Sequence, residues 1–191
     1  MRVVRRAAAI VFVLLLVGCG TTSGKRAGHS AATGTATTAD CQPITTRGFS
    51  KSEEAVGGSL LTSVEVEGLP CSDRVVFGFR DNPGEPPGFY ASYQPASTAK
   101  IEDGSGRRIE VAGSSFIVVH LSNAATAEVS GDKVTPTYTG PRRIAADGTR
   151  FIREVVKTGD FENQVTWVIG LDSERPFAAH SSGSQVVVDV G

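Results

Sequence analysis

The chain has 191 residues, of which 40% are hydrophobic and 20% are charged, and its formal net charge is −1. Three of its 19 basic residues stand among the first six, so 16 basic residues face 20 acidic ones beyond residue 18, a net charge of −4. Nucleic acids and anionic lipid headgroups favour basic surfaces, so we expect neither as a main partner. The remaining roughly 170 residues suffice for one domain with a hydrophobic core.

The beginning of the chain has the pattern of an export signal. Arginines at positions 2, 5 and 6 precede an apolar run of 11 residues at 7–17. This run is shorter than the about 20 residues that a membrane-spanning helix needs. It ends in Leu-Val-Gly-Cys at residues 16–19, which resembles the bacterial lipobox. We therefore predict a lipoprotein signal peptide over residues 1–18, with an ordinary secretory signal as the alternative.

The lipobox pattern gives Cys19 a specific role. A cysteine thiolate is nucleophilic enough to accept a diacylglyceryl group, after which the cysteine becomes the first residue of the mature protein. We therefore expect Cys19 to carry lipid, including palmitate. This lipid would attach the chain to the outer face of the cytoplasmic membrane.

A low-complexity segment follows the lipobox. Residues 20–40 are almost all Thr, Ala, Ser and Gly, and none of them is a large apolar residue. Such a segment cannot bury enough surface to offset the entropy lost on ordering. Residues 19–40 are therefore predicted to be a lipidated cysteine followed by a flexible tether with a reach of about 25 Å.

Cys41 and Cys71 remain as an even pair once Cys19 carries lipid. Outside the cytoplasm such a pair favours a disulfide, with two buried free thiols as the alternative. Closing this loop would contribute roughly 3–4 kcal/mol in the chain-entropy model. The chain has no C-x-x-C motif and only three histidines, so we expect no metal site.

The domain predicted over residues 41–191 has a periodicity of two. Alternation of apolar and polar residues is typical of half-buried strands in antiparallel sheets, and turn signals rich in Gly, Asp and Ser separate the runs. The pattern predicts an all-β fold, an antiparallel β-sandwich of about eight to ten short strands. Residues 151–158 and 164–171 should form a hairpin around a turn at 159–163. The clearest alternating runs are residues 60–67, 74–80, 165–171 and 186–190.

The sequence contains no familiar hydrolase, metalloprotease, P-loop or calcium-loop motif. His120 shares a strand face with Phe116 and Val118, where a histidine is more often packed and hydrogen-bonded than catalytic. Glu102 and Asp103 stand beside a glycine-rich turn, where carboxylates are usually solvated. We therefore expect no catalytic residue, no cofactor and no enzymatic activity.

The segment from Tyr138 to Arg143 (Tyr-Thr-Gly-Pro-Arg-Arg) combines an aromatic ring, a stiff Gly-Pro turn and two arginines. Guanidinium groups bind carboxylates through paired hydrogen bonds, and aromatic rings offer faces to sugars. Tyr138, Arg142 and Arg143 are therefore the predicted ligand-binding residues. In the alternative interpretation the arginines are structural and pair with acids of the domain such as Glu154 or Asp160.

Several short motifs occur in a defined order between Leu60 and Gly191. Together they resemble the AMIN-like domain of actinobacterial lipoproteins. The resemblance implies a non-catalytic module that binds in the cell envelope, because AMIN domains are β-sandwich modules that target other domains to peptidoglycan. The motifs are Asp73-Arg74-Val75-Val76-Phe77, the Tyr138–Arg143 segment, Arg153-Glu154-Val155, Gly159-Asp160-Phe161-Glu162, Gly170-Leu171-Asp172, Pro176-Phe177 and Val186-Val187-Val188-Asp189-Val190.

Two functions follow from these observations. The leading one is a lipoprotein that binds or scaffolds at the cell wall, with peptidoglycan, another cell-wall polymer or an envelope protein as its partner. The alternative is a carrier that holds a lipid or glycolipid between the sheets. A carrier needs an apolar cavity on the order of several hundred Å³, whereas a wall-binding module needs a polar groove or an exposed face.

Overall fold

The structure is a computed structural model that describes residues 41–46, 49–51, 58–80 and 86–191. The predicted signal peptide, Cys19 and the tether lie outside the described residues. The described residues all fall within one compact unit, residues 38–191. None of the helices in this part of the chain is long and apolar enough to cross a membrane.

Strands dominate the described residues, as the alternation of apolar and polar residues predicted. Several of the strands have only two to four residues, too few to show an alternation of apolar and polar residues. The number of strands is therefore larger than the eight to ten that the sequence predicted. The elements in chain order are β1 (Phe49–Lys51), β2 (Ser59–Gly68), β3 (Asp73–Phe79), β4 (Gly88–Gln94), α1 (Ala96–Ala99), β5 (Ser115–Ser122), β6 (Ala124–Ala125), β7 (Ala127–Ser130), β8 (Lys133–Pro136), β9 (Arg143–Ala145), β10 (Ile152–Phe161), β11 (Gln164–Leu171), β12 (Phe177–Ser182) and β13 (Gln185–Val190).

Two main sheets face each other, which confirms the predicted all-β sandwich. One sheet has six strands in the order β1-β4-β5-β11-β10-β9, and the other has five in the order β12-β13-β3-β2-β6. The strands β7 and β8 form a separate two-stranded hairpin. The strand pairs are antiparallel except for the short parallel pair of β2 and β6.

Large side chains from both sheets fill the space between them. Trp167 of β11 is fully buried, and its ring lies 5.9 Å from that of Phe77 in β3 and 5.7 Å, edge-on, from that of Tyr138. Phe177 is also fully buried in this cluster. Aromatic rings bury more apolar area than other side chains, so this contact holds the two sheets together.

A second apolar cluster covers the outer face of the six-stranded sheet. Phe116 and Val118 of β5, together with Val168 of β11, pack against Ala99 and Val111 from the connection between β4 and β5. This connection carries α1 and, after it, the glycine-rich turn that begins at residue 102. The cluster therefore holds that turn against the sheet.

The predicted hairpin is confirmed, with a tighter turn than expected. The strand β10 continues to Phe161, and Glu162 and Asn163 alone form the turn, with φ values of 51° and 58°. Two successive positive φ values match the right-handed twist of the flanking strands. The side chain of Phe161 consequently belongs to a strand and not to a loop.

The predicted disulfide is confirmed between Cys41 and Cys71, whose Cα atoms are 5.5 Å apart. Cys71 lies in the turn between β2 and β3, so the bond ties residue 41 to the end of the sandwich where β3 begins. The carbonyl of Thr46 also accepts the backbone N–H of Phe177 at 3.0 Å.

A buried carboxylate joins the two sheets at this same end. Asp73, at the start of β3, has no solvent exposure. Its carboxylate accepts the backbone N–H groups of Arg150 at 3.0 Å, Phe151 at 2.6 Å and Ile152 at 2.9 Å. These N–H groups lead into β10, so Asp73 sets where β10 starts relative to β3.

We predict that Asp73→Asn lowers the free energy of unfolding by about 2–4 kcal/mol, because an amide NH₂ would face buried N–H donors that need an acceptor. The matched control is Asp189→Asn on β13. Asp189 pairs with Arg74, whose side chain is 36% exposed. Losing the charge of Asp189 should therefore lower the free energy of unfolding by less than about 1 kcal/mol. Urea unfolding of both variants measures the difference, and equal losses would contradict the role of Asp73.

Candidate functional site

A groove of about 440 Å³ opens where β10 extends beyond β9. The edge strand β9 pairs with β10 only from residue 154 to residue 156, whereas β10 continues to Phe161. The glycine-rich turn lies across this free edge. We call this site the β10 groove, and the charged and aromatic side chains that line it are Glu102, Asp103, Arg142, Lys157, Asp160 and Phe161.

An irregularity in β10 shapes the groove. The pairing of β10 with β11 shifts register between Lys157 and Gly159. The carbonyl of Thr158, inside this bulge, accepts the backbone N–H of Asp103 at 2.9 Å. The carboxylate of Asp103 then lies directly over Gly159, where a Cβ atom would collide with it. Glycine at this position therefore allows the turn to lie against the strand.

Glu102 is held as a carboxylate by three donors. Its pKa is lowered to about 2, first by the hydrogen bond from the Ser105 hydroxyl at 2.6 Å and then by the guanidinium groups of Arg142 and Arg107. Hydrogen bonds to the charged form of an acid favour that form. Glu102 therefore stays negatively charged throughout the physiological pH range.

Arg142 keeps unused hydrogen-bonding capacity. Its Nε donates to the carbonyl of Lys157 at 2.9 Å, and one terminal nitrogen donates to Glu102. A guanidinium group has five N–H donors in one plane. The side chain is 47% exposed, so the donors that no described residue uses are accessible from the groove.

Lys157 and Asp160 form a second ion pair in the groove. The Nζ atom of Lys157 lies 3.0 Å from Asp160 Oδ2 and 5.9 Å from the centroid of the Tyr138 ring. Asp160 also accepts a hydrogen bond from the hydroxyl of Thr126. The groove therefore presents charges of both signs in fixed positions.

The ring of Phe161 lies at the rim of these charges and is 62% exposed. Phenylalanines elsewhere in the sandwich, such as Phe77 and Phe177, are fully buried. An exposed ring beside hydrogen-bonding groups offers an apolar face to a ligand that is polar at its edges. The arrangement suits a sugar ring with charged substituents.

The structure places the three predicted ligand-binding residues in different surroundings, and only Arg142 lines the groove. Tyr138 is 8% exposed, and its hydroxyl donates to the carbonyl of Pro141 at 2.8 Å. Arg143 donates to the carboxylate of Glu154 and to the carbonyl of Glu110, each at 2.6 Å. Tyr138 supports the Gly-Pro turn from inside, while Arg143 makes the structural pair with Glu154 that the alternative interpretation named.

Sequence reasoning did not select the remaining groove residues. Glu102 and Asp103 had been interpreted as solvated turn acids, and Phe161 as part of a turn. The available signal was the Gly-Asp-Phe-Glu motif at 159–162, which places an aromatic residue between two acids. Among the residues that the structure describes, no three His, Cys, Asp or Glu side chains group as metal ligands would.

Comparison with known proteins gives one match. The family described as the AMIN-like domain matches residues 59–191, more than half of the chain and the whole of the β10 groove. No curated protein and no solved structure matches the chain.

We predict that Arg142→Ala raises the pKa of Glu102 from about 2 toward its ordinary value of 4.5, because one of its three charge-stabilising donors is lost. The contribution of ionised Glu102 to folding stability is present above pH 4.5 and disappears as the pH falls through 2. In the Arg142→Ala variant this contribution should disappear at a higher pH. Carbon-13 NMR titration of the side-chain carboxyl measures this pKa. Arg143→Ala is the control and should leave it unchanged; the same Glu102 pKa in both variants would refute the assignment.

Proposed function

The chain belongs to the AMIN-like domain family, and from that premise we propose that it is a non-catalytic lipoprotein of the actinobacterial cell envelope that binds peptidoglycan through the β10 groove. AMIN-like domains in general are associated with cell-wall polymers and with the envelope. That association supports a cell-wall partner. The chemistry of the groove supports peptidoglycan as that partner.

The observation that carries the proposal is the exposed ring of Phe161 beside charges of both signs. Peptidoglycan joins sugar rings, which have apolar faces, to peptide stems that carry carboxylates and amines. The ring of Phe161 suits a sugar face. The guanidinium of Arg142 suits a stem carboxylate, because it binds carboxylates with two parallel hydrogen bonds.

The acids of the groove suit the amines of the same ligand. Asp103 is exposed at the mouth of the groove, and the side chain of Asp160 is 34% exposed. Both therefore have carboxylate oxygens that a ligand ammonium group can reach. A ligand with both charges matches this groove better than a purely anionic one, which the acids would repel.

The groove and the disulfide lie at opposite ends of β10. The disulfide ties residue 41 to the end of the sandwich where β3 begins, and Asp73 ties the start of β10 to that same end. The ten residues of β10 span about 30 Å, and the groove lies at their far end. Residue 41 is therefore tied to the end of the sandwich opposite the groove.

The carrier function receives no support from the space between the sheets. Trp167, Phe77 and Phe177 are fully buried there and in contact within one cluster. The β10 groove, in contrast, lies at a sheet edge and has a charged lining.

We predict that Arg142→Ala weakens binding of the purified full-length chain to isolated peptidoglycan at least tenfold, since a charge-assisted hydrogen bond contributes about 1.5–3 kcal/mol. Phe161→Ala should weaken it by a smaller factor through loss of the apolar face. Increasing salt should weaken the wild type in parallel, because the groove is open to solvent. Sedimentation of the protein with insoluble peptidoglycan measures the affinity.

The chain offers a matched control for each variant. Arg80 is 49% exposed and pairs with Glu128, as Arg142 pairs with Glu102, but it lies outside the groove. Val129 is 69% exposed on the separate hairpin and controls for loss of an exposed apolar side chain. Arg80→Ala and Val129→Ala should bind as the wild type does. Undiminished binding by well-folded Arg142→Ala and Phe161→Ala variants would reject the groove as the binding site.

The lipid anchor has its own test. We predict that Cys19→Ala prevents lipidation, so the protein either keeps its signal peptide or is released into the medium. Membrane fractionation with mass spectrometry of the N-terminus distinguishes these forms from the processed lipoprotein. A mutant that fractionates with membranes as a normally processed mature protein would disprove the anchor.

A further inference from the structure

A second, smaller cavity adjoins the β10 groove. This side pocket has a volume of about 200 Å³ and lies on the outer face of the six-stranded sheet, under α1. Its apolar lining comes from Ala99, Ile101 and Val118, and its polar lining includes Gln94, Thr98 and His120.

The two cavities share two lining residues. Asp103 and Thr158 line both of them. The backbone of Asp103 is bound to the carbonyl of Thr158, and its carboxylate lies over Gly159. A ligand in the groove therefore has a neighbouring pocket into which one substituent can extend.

The imidazole ring of His120 lines the side pocket. Burial lowers the pKa of His120 below its usual value, against an opposing effect of the Asp103 carboxylate, so the ring is neutral at pH 7. The side-chain amide nitrogen of Gln164 lies 3.0 Å from Nδ1. The hydroxyl oxygen of Thr166 lies 3.3 Å from the same Nδ1. In the tautomer in which Nδ1 accepts from the Gln164 amide, the ring proton is on Nε2.

Thr98 supplies an acceptor. Its hydroxyl donates to the carbonyl of Pro95 at 3.1 Å or to the side-chain oxygen of Gln94 at 3.4 Å. In both cases the lone pairs of the Thr98 oxygen remain for a donor on a ligand. The side pocket thus combines a neutral imidazole ring and a methyl-lined floor with polar groups that include the hydroxyl of Thr98 and the carboxylate of Asp103. No lysine or arginine lines it.

The size of the side pocket limits its occupant to a substituent. Pockets that enclose a whole small ligand have volumes of about 300–1,000 Å³, a range that includes the β10 groove but not the side pocket. An acetamido group is uncharged and carries a methyl group, a carbonyl acceptor and an N–H donor. These three features complement the floor, His120 and Thr98 respectively.

We propose that the side pocket binds the acetamido group of an N-acetylated amino sugar whose ring lies in the β10 groove. This proposal rests on the proposed wall-binding function and specifies its substrate class. It makes the protein selective for N-acetylated glycans over glycans of the same linkage that have hydroxyl groups at that position.

Two neutral tetrasaccharides test the proposal on the purified full-length chain. Tetra-N-acetylchitotetraose, abbreviated to chitotetraose, and cellotetraose have the same β-1,4-linked backbone and differ at C2 of each ring, where the first has an acetamido group and the second a hydroxyl group. We expect calorimetric titration to show at least tenfold tighter binding of chitotetraose.

His120→Ala and Thr98→Phe should abolish this preference, the first by removing the donor and the second by filling the pocket mouth. His180→Ala is the matched control, because His180 is half-exposed on the other sheet, and it should keep the preference.

The outcomes separate this proposal from the proposed function. Equal affinity for the two tetrasaccharides, or binding of neither, overturns the side pocket as an acetamido site. If peptidoglycan still captures the protein through Arg142 in that case, the wall-binding function stands. A preference for chitotetraose without capture by peptidoglycan supports the side pocket and rejects the wall-binding function. Because the wild type alone decides the preference, a variant that fails to fold does not affect this result.

Discussion

The buried carboxylate of Asp73 is the interaction on which the position of the groove depends. It accepts the backbone N–H groups that lead into β10, so β10 starts level with β3 although the two strands belong to different sheets. From that starting point β10 has ten residues, while its partner β9 has three. The excess length becomes the free edge that forms the groove. A sheet edge usually exposes unpaired backbone groups, and here the turn at Asp103 covers part of it.

Two sequence motifs that lie far apart in the chain therefore determine the two ends of the same strand, β10. The motif that begins at Asp73 anchors one end of β10, and the Gly-Asp-Phe-Glu motif at residues 159–162 forms the other end. Between them the bulge at Thr158 turns the strand so that Gly159 faces the turn at Asp103. Changing either end would therefore displace the groove residues relative to each other.

Local patterns predicted most of the fold and little of the site. Alternation identified the longer strands because side-chain direction in a strand depends only on neighbouring residues, and the cysteine count identified the disulfide. The site depends on contacts between distant segments. Arg142 and Arg143 are adjacent in sequence, yet the start of β9 directs one to the groove and the other to Glu154. The burial of Tyr138 follows from its contact with Trp167, which no local pattern contains.

The pairing of charges inside the groove favours selective binding of a ligand over tight binding. Arg142 pairs with Glu102 and Lys157 pairs with Asp160, so the groove is nearly neutral before a ligand arrives. These pairs are partly exposed, and pairs of this kind contribute little to stability, so a ligand can exchange for them readily. A ligand with a carboxylate and an ammonium group replaces both halves of a pair at once. A polyanion can replace only the carboxylate of each ion pair. Its own negative charges then lie close to the displaced carboxylate, which is unfavourable. The same arrangement therefore favours a ligand with mixed charges, although the net charge of residues 19–191 is negative.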